Sequence, residues 1–195
     1  MSLRYALLAL LEVGPLTGYD LQKQFAVSVG HVWHAPDSQI YPELRKMEAD
    51  GLIEAEVIPW GNQGRKRQYH ATEAGVRTFV DWMNAPLAYS RVRDPAHLRA
   101  AYLEWATPDA ARGFLRGHIR HHREQLDQWV AELHAIDSLT NPMLVRRLAV
   151  TAEKDRRKTV AFKRFTYEGL IAQAENEIAW ANRGLEILGE FDSPE

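Results

Sequence analysis

The chain has 195 residues, 46% of them hydrophobic and 26% charged, with a formal net charge of -2 and no cysteine. That balance is globular rather than disordered, and the length suffices for one ordinary core or two small ones. No apolar run reaches the roughly 18 residues that cross a membrane; disulfide scaffolds and thiolate chemistry are excluded, and so is coating of nucleic acid through bulk charge, although specific DNA contact needs only a local basic surface.

The opening "MSLRYALLALLEVG" has an apolar centre and one arginine but no small-residue cleavage pattern. It reads as a folded helix of a soluble, cytoplasmic protein rather than a signal peptide. Leu3 to Val13 would be apolar on both sides, so the helix carrying Leu7, Leu8 and Leu11 either crosses a core or sits partly in a subunit interface. Gly14-Pro15 ends it. Thr17, three residues before Asp20, is a weak capping box for a second helix, Gly18 to Phe25, with Tyr19, Leu21 and Phe25.

A third helix follows Ala35, capped by Ser38 or by Asp37 one residue earlier. Pro42 falls in its first turn or just past it, where it costs at most about one backbone hydrogen bond. Ile40, Leu44 and Met47 mark its buried side, while Gln39, Glu43, Arg45, Lys46 and Asp50 are left for solvent or a partner. Gly51 stops it, since glycine takes positive φ without steric cost. Ile53, Ala55, Val57 and Trp60 then form a strand, Gly61-Asn62 and Gly64 a turn, and Tyr69 lies on the returning strand. Arg65, Lys66 and Arg67 stand together at the hairpin tip, where they can reach phosphates or a minor groove while the third helix occupies the major groove. Thr72 caps a fourth helix through Ala74, Val76, Phe79, Val80 and Met83, ending before Pro86. Two supporting helices, a reading helix and a hairpin are the order of a winged helix-turn-helix.

"ALLALLEVGPLTGYDLQKQF" from Ala6, "SQIYPELRKMEADGLI" from Ser38 and "GRKRQYHATEAG" from Gly64 together resemble the PadR family of bacterial transcriptional regulators, in particular its longer members with an α-helical dimerisation domain. The resemblance covers nearly all of the first 85 residues. It implies that Ser38, Gln39 and Tyr41 open the recognition helix, that Arg45 and Lys46 follow on it, and that Arg65 to Arg67 form the wing tip with Tyr69 anchoring the returning strand. It also implies that the first helix, with Leu7, Leu8 and Leu11, packs against the partner's C-terminal region. Asp37 departs from the small residue or proline common there and brings a carboxylate close to the phosphate path.

From Ala85 the composition shifts to a linker, "APLAYSRVRDP". Asp94-Pro95, Thr107-Pro108 and Asn141-Pro142 each place a cap before a proline at the first helical position. Leu115, Ile119, His122, Leu126, Trp129, Leu133 and Ile136 recur by fours and threes, as do Ile171, Ala174, Ile178, Ala181, Leu185 and Leu188, which is the rhythm of helices packed in a left-handed sense. So thin a bundle should pair across a two-fold axis, with Ile171, Ile178 and Leu185 on the seam. The expected architecture is mainly α: a winged helix-turn-helix DNA-binding domain with a small β-hairpin wing over residues 1–85, and an α-helical, coiled-coil-like dimerisation domain over 94–190.

His118 and His122 are four apart, as in helical zinc sites, but Arg116, Arg120 and Arg123 neighbour them in sequence and disfavour a cation, so no metal is expected. Glu168, Glu175 and Glu177 lack an accompanying Glu-x-x-His, and there is neither a Gly-rich phosphate loop nor a G-x-S-x-G elbow. No cofactor and no enzymatic activity are expected. The reading is a homodimeric, sequence-specific repressor on a pseudo-palindromic operator, with the two Ser38 to Asp50 helices about 34 Å apart in successive major grooves. Gln39 is the candidate base reader, because its amide can pair bidentately with adenine. The alternative is a winged helix that contacts protein, motivated by Glu43, Glu48, Asp50, Glu54 and Glu56. The family resemblance further implies release by a small aromatic or hydrophobic effector, and the chain has six tryptophans. Trp33, Trp82, Trp105, Trp129 and Trp180 are the candidate walls of such a site, with Tyr102 and His122 as polar partners.

Overall fold

The computed structural model describes residues 2–27, 29–32, 35–61, 64–89 and 93–192. The chain forms two compact units, Met1–Ala88 and Tyr89–Glu195. In the first, α1 (Ser2–Leu11), the short strand β1 (Leu16–Thr17), α2 (Gly18–Val27) and α3 (Asp37–Ala49) precede β2 (Ile53–Trp60), β3 (Gly64–Ala71) and α4 (Glu73–Asn84). The strands make one antiparallel sheet in the order β1-β3-β2, with Ile53 opposite Ala71 and Trp60 opposite Gly64. This is a winged helix-turn-helix with a hairpin wing.

The core of this unit is built from helix faces that the chain order brings together. Leu7, Leu8, Leu21, Ile40, Leu44 and Met47 are all fully buried, and Ile53 and Tyr69 close the sheet side. Each such side chain contributes about 1.5–3 kcal/mol through removal from water. Leu7, Leu8 and Leu11 are at most 3% exposed in the single chain. The first helix therefore crosses its own core, and these three leucines keep no surface for a partner subunit. Tyr19 is 61% exposed, because it lies about 160° around α2 from the buried Leu21 and about 120° from the buried Phe25.

Several turns are set by glycine and threonine. At the end of α3, Gly51 has φ +70°, its N–H donates to Glu48 O and the Leu52 N–H donates to Met47 O. These two bonds form a Schellman cap. Thr17 Oγ1 accepts from the Asp20 N–H and donates to its carboxylate, while Thr72 Oγ1 accepts from Gly75 N–H and donates to Gly51 O. Gly75 must be glycine for space, since a Cβ there would stand 2.1 Å from Leu52 O. At the wing tip Gly61 takes positive φ, whereas Gly64 serves for close approach: a Cβ there would lie 2.5 Å from Trp60 O. Asn62, also expected in that turn, lies outside the described residues.

The second unit contains α5 (Pro95–Ala100), α6 (Pro108–Asp137), α7 (Pro142–Val150) and α8 (Glu153–Asp192). Asp94, Thr107 and Asn141 cap α5, α6 and α7, each accepting from N–H groups of the first turn, with proline directly after. Such caps stabilise by about 1 kcal/mol each. The helices α6 and α8 run antiparallel and, with Leu144 of α7, build two apolar clusters. One contains Trp129, Ile136, Leu144, Tyr167 and Ala174; the other contains Leu115, Ile119 and Ala181. Ile171, Ile178 and Leu185, expected on a dimer seam, are half-buried against these clusters within their own chain. The reason is the antiparallel pairing itself: the two heptad-like stripes face each other across one protomer. Among the described residues no helix is long and apolar enough to cross a membrane.

Candidate nucleic-acid interface

The helix α3 begins after Pro36, whose extended backbone (φ -60°, ψ 141°) makes it the N-cap without any side-chain capping bond. Ser38 is thus inside the first turn and exposed, not the cap. Proline supplies the fixed φ, and the Gln39 N–H closes the turn on Pro36 O at 2.9 Å. Pro42 stands in the helix interior. With Ile40, Leu44 and Met47 facing the core, the 100° step per residue leaves Ser38, Pro42, Arg45 and Ala49 as the outermost row. Tyr41 and Glu48 lie to the wing side of that row, and Gln39 and Lys46 to the other.

Two grooves flank the helix. On the wing side, Tyr19, Tyr41, Arg45, Lys66, Arg67 and Tyr69 line a space of about 430 Å³. On the other, Arg4, Tyr5, Ser38, Gln39, Glu43 and Lys46 line about 550 Å³. The eight residues expected at DNA are therefore distributed along and beside one exposed helix and one strand: Tyr41, Arg45, Lys66 and Arg67 meet in the first groove, and Ser38, Gln39 and Lys46 border the second. Arg65, Lys66 and Arg67 lie on β3 rather than in the turn, opposite Pro59, Ile58 and Val57. Strand alternation turns Lys66 to the face opposite that of its two neighbours. There its ammonium lies over the Trp60 ring at 2.8 Å and 5.9 Å from the Tyr19 ring centre.

The carboxylates of this surface are neutralised from within. Arg4 on α1 donates to Glu43 (3.0 Å) and to Asp50 (2.7 Å), two turns apart on the same side of α3. Burial works against the charge of Arg4, but these hydrogen bonds outweigh it and raise its pKa. Arg67 pairs with Glu48 and stands 5.4 Å from the Tyr69 ring centre. Glu54 pairs with His70 at 3.4 Å. By contrast, Arg45, Lys46 and Arg65 are exposed and show no ion pair among the described residues. The outward field of α3 and the wing is thus positive although the whole chain carries -2.

Sequence reasoning passed over Arg4, Trp60 and Gly18. Gly18 has a structural task, since a Cβ there would be 2.7 Å from Tyr41 Cε1. A glycine directly before an exposed aromatic helix residue was the available signal. Of the candidate effector residues, Trp33 lies outside the described residues and Trp82 stacks on Tyr5 at 4.6 Å in the first unit. In the second unit Tyr102 and Trp105 are exposed, Trp129 is buried with Tyr167, and His122 lies beside His118. A different apolar groove of about 560 Å³ is present there, lined in part by Leu103, Leu115, Trp180, Arg183, Ile187 and Phe191.

Residues 7–81 match the transcriptional regulator PadR-like family, and residues 92–189, half of the chain, match the family described as virulence activator alpha C-term. The chain is 29% identical over 143 residues to the negative transcriptional regulator PadR of Bacillus subtilis, covering 72% of this chain and 78% of that protein. It superposes on the crystal structure of that PadR in complex with operator DNA with a TM-score of 0.73, over 96% of this chain and 99% of the other. Identity over that longer alignment is 23%. The same protein in complex with p-coumaric acid gives a TM-score of 0.70 at 22% identity, covering 97% and 99%. The Vibrio cholerae virulence activator AphA is similar over 97% of this chain and 99% of its own, with 25% identity and a TM-score of 0.69. With its winged unit matching the transcriptional regulator PadR-like family and its second half matching the virulence activator alpha C-term family, this chain belongs to the latter family over residues 92–189 and carries a PadR-like unit over residues 7–81.

Proposed function

We propose that the chain is a cytoplasmic, homodimeric repressor whose winged domain, residues 1–85, binds a pseudo-palindromic operator and whose domain 94–190 dimerises. The carrying observation is electrostatic. Glu43, Glu48 and Asp50 are held by Arg4 and Arg67, so α3 offers Ser38 and Arg45 from its outermost row and Gln39 and Lys46 beside it to DNA, flanked by Arg65 and Lys66. The same pairs take up Glu43, Glu48 and Asp50, three of the five carboxylates that motivate a protein-binding winged helix, and leave Glu54 and Glu56 exposed on the wing. Tyr41 borders the groove between α3 and the wing and positions the backbone of the duplex. The similarity to a PadR crystallised with operator DNA supports this reading.

The test is a gel shift against DNA upstream of the protein's own gene with salt varied. Replacing Arg45, Lys46, Arg65 and Lys66 by alanine flattens the logarithmic salt slope by about 0.9 per lost phosphate contact. Gln39→Ala relaxes sequence preference more than it weakens binding to unrelated DNA. Wild-type protein with no affinity for the upstream DNA at low salt, and an unaltered slope in the variants, would overturn the proposal.

The effector part of the reading is release by a small aromatic acid. It is supported by the PadR structure with p-coumaric acid and by the apolar groove beside Trp180, whose Arg183 can meet a carboxylate. Release requires that the ligand favour the DNA-incompetent arrangement; equal affinity for both would switch nothing. Titrating aromatic acids against tryptophan fluorescence, then repeating the gel shift with each binder, separates a pocket from a switch.

A further inference from the structure

On the antiparallel α6 and α8 pair, beside the apolar cluster of Leu115, Ile119 and Ala181, lies a set of ligating side chains that DNA binding does not use. His118 and His122 are one turn apart on α6, and Glu177 faces them from α8. His118 Nε2 and Glu177 Oε2 are 3.0 Å apart, joining residues 59 positions distant in the chain. The His118 and His122 rings are 4.4 Å apart, and one potential donor atom from each of the three residues lies within 4.8 Å of the others. His122 also keeps a buried Nδ1 with no hydrogen-bond partner. A buried polar atom left unsatisfied costs free energy, and a cation held by these three side chains would satisfy it.

From this juxtaposition the geometry points to a divalent transition-metal site, zinc-type, in which His118, His122 and Glu177 are the three protein ligands and a solvent molecule completes a tetrahedron. Two imidazoles and one carboxylate are a ligand set that zinc takes, with bonds of about 2.0–2.2 Å. Those bonds place donors about 3.3–3.5 Å apart in a tetrahedron. The observed spacing closes to that by small rotations at the ends of the side chains. The arginines that weigh against a cation in the sequence lie elsewhere: Arg116, Arg120 and Arg123 line a groove with Asp127 and Asn182, on the side of α6 turned away from His118 and His122. Trp180 supports the site from α8, presenting its ring edge to His118 at 5.2 Å and stacking on His97 at 4.3 Å. A metal here ties α6 to α8 by ligand bonds beside the apolar contacts of Leu115, Ile119 and Ile178.

The experiment uses the full-length protein after chelator treatment. Isothermal titration with zinc chloride gives one ion per chain, cobalt chloride gives the intense visible bands of tetrahedral coordination, and magnesium gives neither, because it demands octahedral oxygen ligation. Zinc raises the midpoint of thermal unfolding in proportion to the logarithm of its concentration above saturation. His122→Ala and Glu177→Gln each weaken zinc binding at least about tenfold, the smallest loss typical even of an outer-sphere partner, and abolish the cobalt bands. His121→Ala, a surface histidine next to the site, leaves both unchanged. Wild-type protein that binds no zinc, or folded His122→Ala and Glu177→Gln variants that bind it as tightly as wild type, would reduce the cluster to an ion pair of His118 with Glu177. Because the wild-type cobalt spectrum needs no variant, failure of a variant to fold leaves the proposal open to refutation.

Discussion

The Arg67 guanidinium on the wing strand closes on the Glu48 carboxylate near the end of α3, so the wing is tied to the helix it flanks by a side-chain pair as well as through the sheet. The three consecutive basic residues of the wing are consequently not equivalent. Arg65 is exposed without such a pair, Lys66 lies over Trp60, and Arg67 is engaged. Glu48→Gln releases Arg67 for phosphate and steepens the salt dependence of DNA binding by about one counterion. Arg65→Ala flattens it by a similar amount. Arg67→Ala weakens binding although the paired Arg67 holds no phosphate, since it leaves Glu48 uncompensated facing the phosphates. Equal slopes for all three variants and the wild type would mean that the cluster is merely solvated.

Two glycines separate the cost of space from the cost of conformation. Gly75→Ala forces a Cβ against Leu52 O, where backbone on both sides has no room to yield, and should destabilise the winged unit by about 1–3 kcal/mol. Gly51→Ala meets nothing within 4 Å and suffers only from its φ of +70°, a penalty of about 1 kcal/mol. Urea denaturation of the two variants should rank them in that order, and the reverse order would contradict the packing described around Leu52.

Assembly distinguishes apolar residues inside the protomer from those on its surface. Phe162 and Phe165 on α8 are 61% and 69% exposed. If α8 contributes to a homodimer, Phe162→Glu with Phe165→Glu yields a helical monomer in sedimentation. Ile178→Glu with Leu185→Glu instead lowers helicity, because each charge is driven against α6 at a cost of several kcal/mol. A Phe162/Phe165 variant that sediments as a dimer places the interface on another surface.

Alkaline titration reports on the core between α6 and α8. Burial, with a smaller effect from Glu132, pushes the Tyr167 hydroxyl up to about 12 from an ordinary 10.0. The folded pKa is raised, so the neutral phenol's contribution is fully present below pH 10 and is lost as pH rises towards 12. Absorbance at high pH should show one tyrosine ionising late and together with unfolding. Tyr167→Phe should lose less stability over that interval than the wild type does; an identical pH profile would mean that Tyr167 ionises as freely in the folded state.

Local grammar carried much of the architecture. The cap-proline pairs at Asp94, Thr107 and Asn141, the Gly51 stop, and the Thr72 cap are decided within four residues of chain, and each appears in the fold as the sequence implies. The Ile40, Leu44 and Met47 spacing likewise determines which face of α3 is outward before any partner is known. Ser38 was misread as a cap because hydroxyl-bearing residues favour that place, whereas here Pro36 starts the helix with its own fixed φ.

Sequence alone therefore determined the order of elements, the boundaries of most helices and the exposed row of α3, because these depend on backbone conformation and on periodicities within one helix or strand. The tertiary structure decided which charges cancel and which apolar stripes meet. Arg4 reaches Glu43 and Asp50 across 39 and 46 residues. His118 reaches Glu177 across 59. Ile171, Ile178 and Leu185 have the same heptad spacing whether they face α6 or a second protomer, and it is the antiparallel return of α8 along α6 that half-buries them within one chain. Contacts at such separations are set by how whole helices pack, and no local pattern of residues encodes them.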